Sequence, residues 1–293
     1  MRGNSVLDAI GETPIVELRS LRTEHATVLA KLEGMNPSGS VKDRCALGLI
    51  RDAQKRTSLE GKTLIDASSG NLGTAVAMVG ASLGLPVHLI VGSTLTHEKR
   101  RSMELLGAKL QVVEGSSLVG AKIAEQMARD DPRYYFLDQF RNPANVQVHY
   151  DTTGPEIVRD VPDIAAYVCS LGSGGSVVGV ARRLRAAGIK AQVHAVTAED
   201  GTRIPGLRNP GEEGGYPPLA DMSVVDEEHR IAMADAMAQI KETARRDGVL
   251  LGLSGGAVIA VAAMLARSGR VRGHIVALCG DSSFKYFSKA LSV

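Results

Sequence analysis

Tryptophan is absent, and aromatic residues make up only 3% of the chain. A protein that stacks nucleic-acid bases needs an aromatic platform, so that class is excluded. An excess of one charge is missing too: 34 Lys and Arg against 32 Asp and Glu leave +2. A protein that neutralises many backbone phosphates would be far more basic, so no nucleic-acid partner is expected. Cysteine is scarce: Cys45, Cys169 and Cys279 stand far apart, without a CxxC pair. That argues against a disulfide framework and against a cysteine-built zinc site, and it fits a reducing cytoplasm. No metal ion is expected. The N-terminal stretch MRGNSVLDAIGE has no apolar core and is not a signal peptide. The most apolar stretch, Leu72 to Val91, is interrupted by Gly73, Gly80, Gly84, Pro86 and His88. A membrane span would be cleaner. A helix stopped at Gly84 and Pro86 and turning into a strand accounts for it better.

What is present is ordinary globular material with one surplus. Apolar residues make up 44% and charged residues 23% of 293 residues. That length holds one large domain or two of ordinary size, with ample core. The surplus is glycine: 32 residues, gathered in clusters.

Strand-like runs lie at Val28–Leu32, Thr63–Asp66, Val87–Val91, Lys109–Val113, Ala166–Ser170, Gln192–Val196 and Ile275–Leu278. Helix-like segments lie at Val41–Arg56, Asn71–Leu83, Thr96–Leu106, Gly120–Arg129, Gly175–Ala187, Glu227–Asp247 and Gly256–Ala266. Such alternation predicts an α/β fold whose mostly parallel sheet is flanked by helices. The Gly- and Pro-rich stretch Gly201–Pro218 reads as a long functional loop. Asn142-Pro143 reads as a hinge between two α/β lobes.

Four glycine-rich turns each precede a helix. In α/β sheets ligands bind beyond the carboxyl ends of the strands, where helix N-termini offer free N–H groups to anions. The first turn, Asn36-Pro37-Ser38-Gly39-Ser40-Val41-Lys42, places Lys42 in the first turn of a helix capped by Ser38 or Ser40. The helix dipole disfavours a cation there, which suits a Schiff-base nucleophile and proton carrier. Lysine is ordinarily a solvated surface group, and only this position singles Lys42 out. The second turn, Asp66-Ala67-Ser68-Ser69-Gly70-Asn71-Leu72-Gly73, gathers hydroxyls and an amide suited to a carboxylate. The third, Gly172-Ser173-Gly174-Gly175-Ser176, would cradle a phosphate. As a dinucleotide fingerprint it is incomplete, because Val177 stands where the last glycine should be. The fourth, Gly252-Leu253-Ser254-Gly255-Gly256, matches the G-x-S-x-G elbow of serine hydrolases. That remote alternative would use Ser254, yet His274 precedes Asp281, the reverse of the order a triad needs.

The segments NPSGSVKDR, SSGNLG, QFRNPAN with TTGPEI, GSGGS, GLSGGA and GDSSFKYFS occur in this order. Together they resemble the cysteine synthase family of fold-type II pyridoxal-phosphate (PLP) enzymes, from about Gly11-Glu12-Thr13-Pro14 to Ser288. The resemblance implies two α/β lobes, a smaller mobile one at 35–142 and a larger PLP-binding one at 1–34 plus 143–293. It implies that Lys42 carries PLP as a Schiff base and that Asn71 bonds its phenolic oxygen. Gly172, Ser173, Gly174, Gly175 and Ser176 would hold the phosphate, and Ser282 would face the pyridine nitrogen. Ser68, Ser69, Asn71, Leu72 and Gln139 would grip the substrate carboxylate. The implied reaction is β-replacement on an activated serine through an aminoacrylate, with a sulfur nucleophile giving L-cysteine, in a cytoplasmic homodimer with no membrane partner.

Two positions refine the resemblance. Leu72 stands where many relatives have threonine. The SGNLG form is also similar to enzymes that join an amine to the serine carbon on the way to 2,3-diaminopropionate. Gly206-Leu207-Arg208-Asn209 is similar to the LRN segment of cysteine synthases that use O-phosphoserine, which implies that Arg208 grips the leaving phosphate. O-phosphoserine is the expected donor, with O-acetylserine as the alternative. A thiocarboxylated sulfur-carrier protein is a further sulfur source known among such relatives.

Overall fold

The computed structural model describes residues 3–68, 70–93, 95–114, 117–211 and 215–287. Its strands are β1 (Ile15–Glu17), β2 (Ala26–Leu32), β3 (Thr63–Ala67), β4 (Val87–Gly92), β5 (Lys109–Val113), β6 (Tyr134–Phe136), β7 (Ile164–Ser170), β8 (Gln192–Ala198), β9 (Glu227–Ile231) and β10 (Gly273–Cys279). Its α-helices are α1 (Lys42–Arg56), α2 (Asn71–Leu83), α3 (His97–Leu105), α4 (Ser117–Asp130), α5 (Ala144–Val148), α6 (Gly154–Asp160), α7 (Gly175–Ala186), α8 (Met233–Asp247) and α9 (Leu253–Ser268). The alternation expected from sequence is present, and no helix is long and apolar enough to cross a membrane among the described residues.

The chain divides into two units. The first comprises residues 36–145 with 3–10 and 285–287, and the second comprises 11–35 and 146–284. Residues 3–10, expected with the larger lobe, go with the smaller one, where Ser5 Oγ bonds Ser82 Oγ at 3.0 Å. Residues 285–287 do likewise, and the Lys99 ammonium stands 4.2 Å over the Tyr286 ring.

The first unit is built on a parallel sheet of order β5-β4-β3-β6. Alternation along β3 sends Leu64 into the core of α1 and α2, and Ile65 and Ala67 into a second core with Ala124 of α4. The apolar stretch after Leu72 resolves as helix then strand. Gly84 adopts φ 67° as the left-handed cap of α2, and Leu85 N–H returns to Gly80 O at 2.9 Å. Only a residue without Cβ takes that conformation freely.

The second unit has a sheet of order β1-β2-β10-β7-β8-β9, parallel throughout except for β1. Its central strands are continuous apolar runs, as strands covered on both faces require. The helix expected over Glu227–Asp247 is corrected: its first five residues are β9, and the helix starts at Met233. Glu-Glu-His-Arg-Ile reads as polar helix in isolation, but pairing with β8 from His194 to Ala198 makes it the edge strand. The helix expected from Gly256 begins earlier, at Leu253.

All three cysteines are buried thiols. Burial pushes the Cys45 thiol up to about 11 and raises that of Cys279 as well, helped by the charge of Asp281.

Candidate cofactor and substrate site

In the first unit, α1 leads into β3 and α2 leads out of it. Helices of a parallel α/β layer run against their strands, so the N-termini of both lie at the carboxyl edge of β3. Lys42 is the first residue of α1 and Asn71 the first of α2. The turn before Lys42 is fastened by Asp43, which accepts from Ser38 N–H at 2.6 Å and from the Ser38 hydroxyl. Gly39, at φ 85°, closes that turn with a 2.7 Å bond to Asn36 O. The expected serine cap is altered. Val41 occupies the cap position, and Ser40 Oγ accepts from Lys42 N–H at 3.3 Å.

At the end of β3, Ser68 Oγ accepts from Gly70 N–H at 3.2 Å. Gln139 returns to the same place, its Nε2 donating to Ala67 O at 3.3 Å, and its own carbonyl is held by Asn145 Nδ2 at 2.8 Å. Asp138, at φ 55°, turns the chain so that Gln139 can reach back. Ser68, Asn71 and Gln139 therefore meet at one strand end. Ser69 lies outside the described residues. The Leu72 side chain is buried in the apolar core, which leaves its backbone N–H to serve a ligand. Gly73 admits no side chain, because a Cβ there would stand 2.8 Å from Ser68 O.

Sequence reasoning missed Asp66. It points to the Leu64 side of β3, fully buried, with Oδ1 accepting from Ala67 N–H at 2.7 Å and Oδ2 without a partner. Burial pushes its carboxyl up to about 7, and the charge of Asp138 adds to the rise. The only signal was an acid closing an apolar strand.

In the second unit the loops after β7, β8 and β10 and the start of α9 meet at one end of the sheet. Arg208 N–H bonds Leu171 O at 2.7 Å and its carbonyl accepts from Ala198 N–H at 2.8 Å, which ties the loop after β8 to the ends of β7 and β8. A Cβ on Gly172 would stand 3.1 Å from Gly206 O, and one on Gly206 would stand 3.1 Å from Ser254 Cβ. Gly174 caps α7 at φ 91° with no side-chain hydrogen bond, and a Cβ there would stand 2.7 Å from Ala220 N. Arg208 is buried, with Nε donating to Gly215 O at 3.2 Å. Ser282 pairs with Leu251 in an isolated bridge, beside the bond from Gly252 N–H to Asp281 O at 3.1 Å. Asp281 is buried near Cys279, whose thiol its charge helps to raise.

The hydrolase alternative fails on placement. Ser254 sits beside the carboxyl end of β10, whereas His274 is at that strand's start, bonded to Asp163 at 2.9 Å. The strand separates them by about 20 Å.

Each unit, taken by itself, carries groups that suit part of a phosphorylated pyridine aldehyde. The first-turn N–H groups of α7 have no intrahelical acceptors and no capping side chain, as an anion cradle requires. In the first unit, Lys42 at the head of α1 would offer the amine. Sequence reasoning also missed the gathering of His194, Glu227 and His229. No spacing announces it, because strand pairing alone brings those residues together.

The profile of the family described as "Pyridoxal-phosphate dependent enzyme" matches residues 6–281. The chain is 37% identical over 290 residues to cysteine synthase B of Salmonella typhimurium, covering 97% of this chain and 95% of that one. It is 33% identical over 299 residues to O-ureido-L-serine synthase of Streptomyces lavendulae, covering 98% and 92%. A crystal structure of O-ureido-L-serine synthase superposes with a TM-score of 0.91 at 32% identity, covering 99% and 95%. A cysteine synthase structure from Entamoeba histolytica gives 0.89 at 29% identity, covering 100% and 91%.

Proposed function

The chain belongs to the pyridoxal-phosphate-dependent enzymes, and from that premise we propose that it catalyses β-replacement on an activated L-serine, with a sulfur nucleophile giving L-cysteine. The observation that carries this reading is the near full-length likeness to cysteine synthases. PLP, when bound, supplies the electron sink that lets the α-carbon lose its proton and the β-substituent depart.

The chain's own residues do the rest. Lys42 Nζ holds the cofactor, takes the α-proton of the substrate and returns it after the nucleophile has added. Its position at the head of α1 supports that role. Ser68 Oγ, the Asn71 side chain, the N–H groups of Asn71 and Leu72 and the Gln139 amide orient the substrate carboxylate, and Ser69 is proposed for the same grip. Their convergence at the end of β3 supports this grip. Gly172, Ser173, Gly174, Gly175 and Ser176 hold the cofactor phosphate at the N-terminus of α7. Ser282 offers the pyridine nitrogen a neutral hydroxyl. A carboxylate there would hold the ring proton more firmly and strengthen the sink, so serine favours β-elimination.

O-phosphoserine is the proposed donor. Arg208 lies in the loop tied to the ends of β7 and β8, and its Nη edge would meet the leaving phosphate. The buried thiols support a reducing cytoplasm, and a homodimer completes the reading. The likeness to O-ureido-L-serine synthases favours a second reading, in which hydroxyurea oxygen replaces sulfur as the nucleophile.

The test is a matrix of donors and nucleophiles, with products identified by mass. O-phosphoserine and O-acetylserine are each offered with sulfide, a thiocarboxylated carrier protein, small amines and hydroxyurea. Cysteine from O-phosphoserine and sulfide, lost in Lys42→Ala, is the expected result. No product from any pair with PLP-loaded protein would overturn β-replacement, and O-ureidoserine as the preferred product would select the second reading.

A further inference from the structure

Far along β8 from the cofactor loops lies a cluster that the proposed reaction does not use. His194 of β8 stands opposite Glu227 of the edge strand β9, with His229 two residues further along β9 on the same face. His194 Nδ1, His229 Nε2 and Glu227 Oε2 stand 3.0, 3.7 and 3.7 Å apart, a triangle whose centre is about 2.0 Å from each corner. Bonds from a zinc ion to imidazole nitrogen and carboxylate oxygen are about 2.0–2.2 Å long.

One hydrogen bond lies inside the triangle, from His229 Nε2–H to the His194 Nδ1 lone pair at 3.0 Å, and an ion at the centre would replace it. His194 Nε2 meets Gln192 Oε1 at 3.2 Å, an acceptor, so that nitrogen carries the proton and Nδ1 presents a lone pair to the cluster. An outer acceptor that fixes the tautomer is the usual companion of a metal-binding histidine. The carboxylate oxygen is too far from both rings for a hydrogen bond, yet it faces both.

Glu228, between the ligands in sequence, faces away and bonds Thr197 and Tyr216. Arg270 Nη2 holds the same Glu227 oxygen at 2.6 Å. Its side chain is 53% exposed, so an ion would compete with a solvated cation for that oxygen.

We propose that His194, His229 and Glu227 form a binding site for a divalent transition ion of the zinc class, with a fourth position left to water. Its place says what it does. β9 is the edge strand of its sheet, and an ion there fastens it to β8. Cysteine scarcity does not bear on this site, because it uses no cysteine.

The test uses the tag-free, PLP-loaded chain, freed of metal by a chelator that is then removed. Zinc is titrated by calorimetry and the melting temperature is followed. We expect one ion per chain and a rise of about 5 °C at a hundredfold excess over Kd. Cobalt should give the visible bands of a tetrahedral site. His229→Gln and Glu227→Gln should each weaken binding at least about tenfold while keeping the PLP absorbance and the melting temperature measured without metal. Arg270→Ala should tighten binding by removing the competing cation, and it serves should either ligand variant fail to fold. No binding at millimolar zinc, binding unchanged in both ligand variants, or weaker binding in Arg270→Ala would each overturn the proposal.

Discussion

Lys31 and Glu156 form an ion pair removed from water: Nζ lies 2.6 Å from Oε2, with the side chains 0% and 5% exposed. Glu156 Oε1 also accepts from Glu12 N–H at 3.1 Å, and Lys31 Nζ donates to Thr13 O at 2.6 Å. The pair thus straps the Gly11–Pro14 segment to β2 and α6, including Glu12 in its left-handed conformation at φ 46°. Removing one partner strands a buried charge. Lys31→Met should lower stability by about 3–5 kcal/mol in urea unfolding, and adding Glu156→Leu should recover most of the loss. A single variant as stable as wild type would show that the pair holds nothing.

Asp66 predicts a pH dependence of stability. Its carboxyl is pushed up to about 7 in the folded chain, against about 3.9 in an unfolded one. Below about pH 4 both states are protonated and the fold is not penalised. As pH rises to about 7 the unfolded state sheds its proton while the folded state resists, so stability is progressively lost. Asp66→Asn should flatten that part of the profile and be the more stable form at pH 8. Parallel profiles for the two proteins would refute the assignment.

Gly174→Ala introduces a methyl 2.7 Å from Ala220 N at a residue with φ 91°. The conformation alone costs about 1–2 kcal/mol, and the clash must move the loop that opens α7. The expected outcome is weaker retention of PLP on dialysis, read by the cofactor's absorbance, with the far-ultraviolet spectrum unchanged. Full retention would remove the phosphate role from this turn.

Arg208→Ala should separate the donors. Removing a charge-assisted grip on phosphate costs about 1.5–3 kcal/mol, or roughly tenfold to a hundredfold in kcat/KM, for O-phosphoserine. O-acetylserine should be nearly unaffected. An equal fall for both donors would mean that Arg208 supports the loop through Gly215 O rather than the substrate.

Local chemistry made much of this molecule legible. Glycines and prolines marked where α2 stops and β4 starts, and apolar runs marked the central strands, because both signals act within a few residues. Four features needed the folded chain. Glu227–Ile231 carries the composition of a helix and is a strand only because β8 offers it an edge. Leu72 sits in a ligand-binding motif yet turns its side chain into the core, which the motif does not record. Asp66 follows a strand pattern that would have suited any small residue, and its burial shows only once α1 and α2 cover that face. His194 and His229 meet for the same kind of reason, through a strand register that no local spacing encodes.

The three thiols give the molecule a built-in clock. Each is buried, and in Cys45 and Cys279 burial also suppresses the reactive thiolate. A maleimide added to the native enzyme therefore has nothing to react with until the fold opens. Cys45 lies in the first unit and Cys169 and Cys279 in the second, so the order in which they become labelled times the opening of each unit separately.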